Sequence, residues 1–397
     1  MRASDSRHAR SLRKLTALGG YGGAVHRNSY ALAALAAAAV PGLIPVKTAA
    51  LPSRVEGLEI AGVIGEDARR VVVISPSTPA AGAAMEQDLH VAESLLGTSL
   101  RTVIPPVLGF ATAEDGGRVA VTEAPVGHPL AMDEVAANPE LAHALGSVIA
   151  RIHAVPRYAA EATGVETYTA QALREEHQGR MKRALEAGLL PAAVAQRWEH
   201  LLADDDLWDF SPQFVHGDLS EDCVFNHGGR ISAVLDWHSA RVGDPAQDLA
   251  WLIPALDTDS FDAVHSGYRQ ELPTVPHRRL IERAQLLGEF AVLQWLLHGV
   301  DTEDQEIIDD ARGMLTDLDD DLAQIAREEA ERAYEEMQEH HEHEAHAQHH
   351  DSVHDGYAHG SPAHDTEHRY GNAAPLTDEL AEESSPEHSR PQHDDRR

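Results

Sequence analysis

Phe214-Val215-His216-Gly217-Asp218-Leu219-Ser220-Glu221-Asp222-Cys223-Val224-Phe225, then after a glycine turn Ile231-Ser232-Ala233-Val234-Leu235-Asp236-Trp237, carries more information than any other part of this chain. Short apolar runs flank a polar loop in a region whose surroundings are helical in pattern. A strand delivers Asp218 into the loop, and a hairpin returns Asp236 at the end of the next strand. Two carboxylates eighteen residues apart on adjoining strands can face one cleft, one as a base and one holding a divalent cation. Aspartate also favours turns for local reasons, so a pair of turn-capping residues is the alternative that these residues alone leave open.

Upstream, residues 43–46, 58–64 and 70–74 read as extended runs, the last a Val-Val-Val-Ile series suited to a buried strand. Thr78-Pro79 then opens a helix with Met85, Leu89, Ala92 and Leu96 on one face. Residues 103–108 and 118–123 are two further strands around the turn 114–117, which makes a small α+β unit ending near Pro125. Beyond it the pattern is mainly helical. Asn138-Pro139-Glu140 starts a helix whose Leu141, Leu145, Val148, Ile149 and Ile152 share a stripe, and helical patterns cover 168–187, 191–203, 245–256, 277–299 and 303–335.

The chain has 397 residues and a net charge of −33, a balance that argues against nucleic-acid backbones and anionic membranes as partners. No stretch reaches the ~18 apolar residues of a membrane span. The alanine-rich run at 30–40 reads as a short helix opening the fold rather than an export signal. A single cysteine, Cys223, rules out an intrachain disulfide and fits a reducing, cytoplasmic setting. From His340 onward twelve histidines alternate with acids, a composition with too little apolar surface to fold and one that can bind divalent transition metals, His340, His341, His343 and His346 first among them. These readings divide the chain into a flexible arm (1–27), a β-rich N-lobe (28–125), a helical C-lobe (126–335) and a disordered acidic tail (336–397).

The series His216-Gly217-Asp218-Leu219, the downstream Asp236-Trp237, the segment Gly243-Asp244-Pro245-Ala246-Gln247-Asp248-Leu249-Ala250 and the helix ending at Ile152-His153 together resemble the aminoglycoside/macrolide phosphotransferase family, whose fold is protein-kinase-like. The resemblance implies an α+β, two-lobed fold with a nucleotide cleft between lobes. It implies Asp218 as the catalytic-loop base, Asp236 as a ligand of Mg²⁺, and ATP or GTP as phosphoryl donor to a hydroxyl of a small molecule. His216, Asp244 and Asp248 would support the loop. Glu123, Ala124, Pro125 and Val126 would form the hinge that binds the nucleotide base through backbone groups. An aminoglycoside-, macrolide- or sugar-like acceptor would be held by the helices around 165–205 and 255–300.

Two positions depart from the family pattern. Where its members carry a metal-binding asparagine this chain has Cys223, a poor partner for a hard cation, while strand alternation points Asp222 elsewhere. The third strand has no lysine: Val73, Ile74 and Ser75 stand at its place, leaving Arg70 as a weak substitute and Glu86 as the helix acid that would have held it. The alternative to an active phosphotransferase is therefore a non-catalytic relative with weakened nucleotide and metal binding, acting as a binding or regulatory protein.

Overall fold

The computed structural model describes residues 27–354, and side chains as far as 338. The chain divides into two units, Met1–Glu329 and Ala330–Arg397. The branched run at 71–74 becomes the middle of the sheet in the first. Strand β3 is Arg70–Pro76, flanked by β2 (Leu58–Gly65) and β5 (Arg118–Glu123), with β1 (Pro45–Leu51) and β4 (Val107–Thr112) outermost. The order is β1-β2-β3-β5-β4, antiparallel throughout.

Alternation along β3 separates two environments. Val71 and Val73 are buried with Ala61, Val63, Val119 and Val121 beneath Leu32, Ala33 and Ala36 of helix α1 (Ser29–Ala39), which is the alanine-rich run. Asn28 caps that helix by accepting from the N–H groups of Tyr30 and Ala31. Arg27 is fastened to the sheet: its N–H donates to Glu59 (2.8 Å) and its guanidinium to Ser75 and Pro76 O, so the expected arm ends before it and residues 1–26 lie outside the described part. The other face of β3, with Val72 and Ile74, looks into a cleft. Helix α2 (Pro79–Leu95), capped by Thr78, closes one end by packing Met85 and Leu89 against Ala120, Leu58 and Ile74.

The C-lobe contains α3 (Met132–Ala137), α4 (Pro139–His153), α5 (Arg157–Ala162), α6 (Ala170–Glu186), α7 (Ala192–Ala203), α8 (Gln247–Ala250), α9 (Thr258–Glu271) and α10 (Leu280–Thr302). Small sheets join β6 (His128–Pro129), β8 (Val224–His227) and β9 (Arg230–Val234), and pair β7 (Gln213–Val215) with β10 (Arg241–Gly243). The α4 stripe is wholly buried. Helices α4 and α9 meet backbone to backbone: a Cβ on Gly146 would stand 1.8 Å from Val264 O, and one on Gly267 2.0 Å from His143 O.

Several boundaries differ from the sequence reading. Residues 103–106 are not in the expected strand: a 3₁₀ turn occupies Ser99–Thr102, and β4 begins only after Pro105-Pro106, which offer no N–H for pairing. The 245–256 pattern yields one short helix followed by turns, and α9 replaces what was read as a gap. The last helix, α11 (Gln305–His354), continues past 335, because Glu, Ala and Gln are good helix formers even where, from Ala323 to Glu329, every residue is exposed. The side chains of the tail histidines lie outside the described part. No helix among the described residues is long and apolar enough to cross a membrane.

Candidate functional site

Residues 215–218 leave β7 as a tight loop held from beneath. Gly217 has φ +84°, and any Cβ there would meet Ser239 O at 2.4 Å, so glycine is required twice over. The N–H groups of His216 and Gly217 both donate to the Asp248 carboxylate at 2.8 Å. That carboxylate, fully buried, also bonds His153 Nε2 (3.2 Å), whose Nδ1 meets the Tyr268 hydroxyl (2.9 Å). Burial opposes its charge, but the imidazole of His153 and the loop N–H groups outweigh that and hold Asp248 below the usual carboxylate range. His216 Nε2 donates to Leu235 O (2.8 Å), tying the loop to the strand that ends at Asp236, and burial depresses its pKa, which keeps the ring neutral. Asp244 accepts Arg283 through both oxygens (2.8 and 3.2 Å) and the Ala246 N–H (2.9 Å), anchoring the start of α8 to α10.

Asp218 emerges half-exposed at the top of this scaffold. Asp236 follows β9 in the left-handed region, φ 66° and ψ 49°, a conformation aspartate tolerates better than most residues and one that tends to recur at functional sites. It lines the interlobe cleft, a volume of about 1250 Å³ also bordered by Val72, Ile74, Thr122 and Ala124. Two residues missed in the sequence complete the polar end. Arg54, from the β1–β2 loop, donates Nη2 to Asp218 Oδ2 at 2.6 Å and Nη1 to Asp218 O at 3.2 Å, across the two lobes. Burial works against its charge, yet the neighbouring Asp218, Cys223 and Asp236 raise its pKa above the ordinary value. Asp88, on α2, lines the cleft beside Asp236 and accepts the Trp237 N–H; burial and the Asp236 charge push it up to about 7.

The other expected residues fall as follows. Glu86 is on the outer side of α2, half-exposed and paired with Arg118 (2.6 Å), so the helix acid that reaches the cleft is Asp88. Arg70 lines the cleft at its hinge end, where its carbonyl accepts Ala124 N–H at 3.0 Å. Of the expected hinge residues, Ala124 and Pro125 line the cleft and Glu123 and Val126 do not; Glu123 N–H is bonded to Pro106 O (2.9 Å) and Pro125 has no N–H. Cys223 is fully buried, its sulfur accepting Ser220 N–H (3.2 Å) and donating to Ser220 O (3.3 Å), and burial pushes the thiol up to about 12. Such a thiol is neither a magnesium ligand nor a nucleophile. Asp222 does line the cleft, because 220–223 form a turn rather than a strand and alternation does not apply there.

Among the described residues no three His, Cys, Asp or Glu side chains converge as a finished metal cage. That suits magnesium, which keeps several waters and takes one or two carboxylates with substrate phosphate. The oxygen donors of Asp236 and Asp88, two acids crowded together at one wall of the cleft, fit such an ion; the Cys223 sulfur does not.

Comparison with known proteins bears on the fold and the family. A macrolide 2′-phosphotransferase from Brachybacterium faecium, solved as the apoenzyme, superposes with TM-score 0.61 at 25% identity over 72% of this chain and 97% of that one. A GDP and kanamycin complex of an aminoglycoside phosphotransferase, APH(2″)-IIIa, shares the fold with TM-score 0.59 at 17% identity, over 72% of this chain and 97% of that one. An uncharacterized Bacillus subtilis (strain 168) protein, YcbJ, is 25% identical over 118 residues, which is 30% of this chain and only 39% of that protein. The sequence model described as the phosphotransferase enzyme family matches residues 63–280, more than half of the chain, and this protein therefore belongs to that family.

Proposed function

We propose that this protein transfers the terminal phosphoryl group of ATP or GTP to a hydroxyl of a small molecule, aminoglycoside-, macrolide- or sugar-like. One observation carries the reading: the two ends of the catalytic hairpin, Asp218 and Asp236, bear on one guanidinium, that of Arg54, at the polar end of the interlobe cleft. Asp218 is the base, half-exposed and able to accept a hydroxyl proton once an acceptor is aligned with it. Asp236, helped by Asp88, would hold magnesium, which when bound neutralises phosphate charge. The hinge at Ala124 and Pro125 and the apolar wall of Val72 and Ile74 receive the nucleotide base and sugar. Asp248, His216 and Asp244 keep the loop in place so that its backbone need not move for Asp218 to act.

The competing reading, a relative that no longer transfers phosphate, draws on Cys223 and on the apolar β3. Thermal-shift titrations with MgATP and MgGTP separate the two. Stabilisation that grows with nucleotide concentration is the expected result. No shift at millimolar nucleotide would sink the proposal. Where nucleotide binds, Asp218→Asn should lower transfer by ~10²–10⁴-fold while leaving nucleotide affinity nearly intact. Equal activity in that variant would remove Asp218 from the role.

A further inference from the structure

Resting on the phosphotransferase reading, we propose that Arg54 is the phosphate-binding cation of this chain, taking over from the absent strand lysine, and that it passes to phosphate from the catalytic aspartate on which it rests. The sheet register locates it. Lys47 pairs with Ile64 and Ile64 with Arg70, whose carbonyl takes the Ala124 N–H, so this row lies at the hinge end. At the other end Leu51 pairs with Ile60, Ile60 with Ile74, and Ile74 with Ala120. The loop carrying Arg54 begins just past Leu51, at the same end as Ile74. Among the described residues Lys47, Arg54 and Arg70 are the cations lining the cleft, and of these Arg54 alone reaches the acids.

Its bonding is incomplete in a telling way. The side chain is 13% exposed, two of its nitrogens serve Asp218, and Nε is buried without a partner. A guanidinium has five N–H donors in a planar fork that matches phosphate oxygens, so this one has capacity left for a triphosphate. The same pair also masks the base: Asp218 cannot take a hydroxyl proton on the oxygen that holds Nη2 at 2.6 Å. Phosphate oxygens arriving beside Asp236 offer the guanidinium more acceptors and more negative charge than the single carboxylate it serves. Its transfer from Asp218 to phosphate binds the nucleotide and frees the base in one movement.

The test measures binding rather than turnover. Affinities for MgATP and MgGTP, and for AMP and GMP, are measured by calorimetry on the wild type, Arg54→Ala and Arg54→Lys. Urea denaturation without ligand establishes that each variant folds. Loss of a charge-assisted bond should weaken triphosphate binding ~10–100-fold in Arg54→Ala, with a smaller loss in Arg54→Lys, and leave monophosphate binding within about twofold. Triphosphate binding unchanged or tighter in Arg54→Ala, or equal losses for triphosphate and monophosphate, would overturn the assignment while leaving the phosphotransferase reading intact. A wild type that binds no nucleotide at all would instead remove that reading, and this assignment with it.

Discussion

On the helical side of the cleft, the loop at 215–218 rests on Asp248, His153, Tyr268 and Leu235 O, with each ring nitrogen of His153 and His216 bonded. On the sheet side, Val72 and Ile74 present no polar side-chain atom, and the charge that a triphosphate needs hangs from one loop residue, Arg54. The acids are thus fixed by buried partners, whereas Arg54 is held only by Asp218, a contact that nucleotide would exchange on the proposal above. A buried polar network that is fully satisfied resists movement, while an arginine on a short loop can change acceptors at small cost. Division of labour of this kind is what the proposal for Arg54 requires of a chain whose third strand has no lysine.

The sharpest way to break the contrast is Asp248→Ala. It strands two buried N–H groups and an imidazole and should cost roughly 3–5 kcal/mol, read by urea denaturation, with transfer lost alongside. A loss below ~1 kcal/mol would mean the loop stands without its brace. Next in size is the reactivity of Cys223. A thiol near 12 rather than 9.0 is ~10³-fold poorer in thiolate, so alkylation at pH 8 should be slowed at least that much in the folded protein and recover in denaturant. Rapid labelling of the native state would show the turn at 220–223 to be open.

His177 offers a third comparison, since its ring stacks on Phe290 at 4.8 Å but its buried Nδ1 has no partner, unlike the braced histidines of the loop. Burial lowers it from 6.5 to about 3. Below pH 6.5 the unfolded chain takes a proton that the folded one refuses. Stability should therefore be full above 6.5 and fall by up to roughly 1.4 kcal/mol per pH unit down to about 3, and His177→Phe should flatten that slope. An unchanged slope would place the acid sensitivity elsewhere. The smallest effect is expected from Glu86→Gln, which breaks a half-exposed pair with Arg118: under ~1 kcal/mol by denaturation, and no change in nucleotide affinity. Weakened nucleotide binding would return Glu86 to the cleft.

The acidic half of the site was legible in the sequence because its geometry is local. Asp218 and Asp236 flank one hairpin, β8–β9, although β7, which leads into His216 and Asp218, pairs with β10 rather than with that hairpin; Asp244 and Asp248 follow within twelve residues of Asp236, so spacing nearly determines position. Arg54 is 164 positions from Asp218, and no periodicity links them. Asp88 was overlooked for Glu86 because helix phase, not residue type, decides which acid faces inward. Helix α9 escaped because it buries Ser260, Val264, Gly267 and Tyr268, a mostly small and polar set without the apolar stripe by which helices are found. The boundary at β4 was displaced by Pro105 and Pro106, whose missing N–H groups outweigh the apolar run they interrupt.

The glycine crossing of α4 and α9 sets where this chain can afford to vary. Tyr268 reaches His153 only because Gly146 and Gly267 let two helical rods touch without side chains between them. An insertion, or even an added methyl, at that crossing would rotate or lift the hydroxyl off the imidazole and unseat the aspartate beneath the loop. Substitutions after Leu272 and at the exposed positions of α10 should therefore be tolerated far better than any at the crossing.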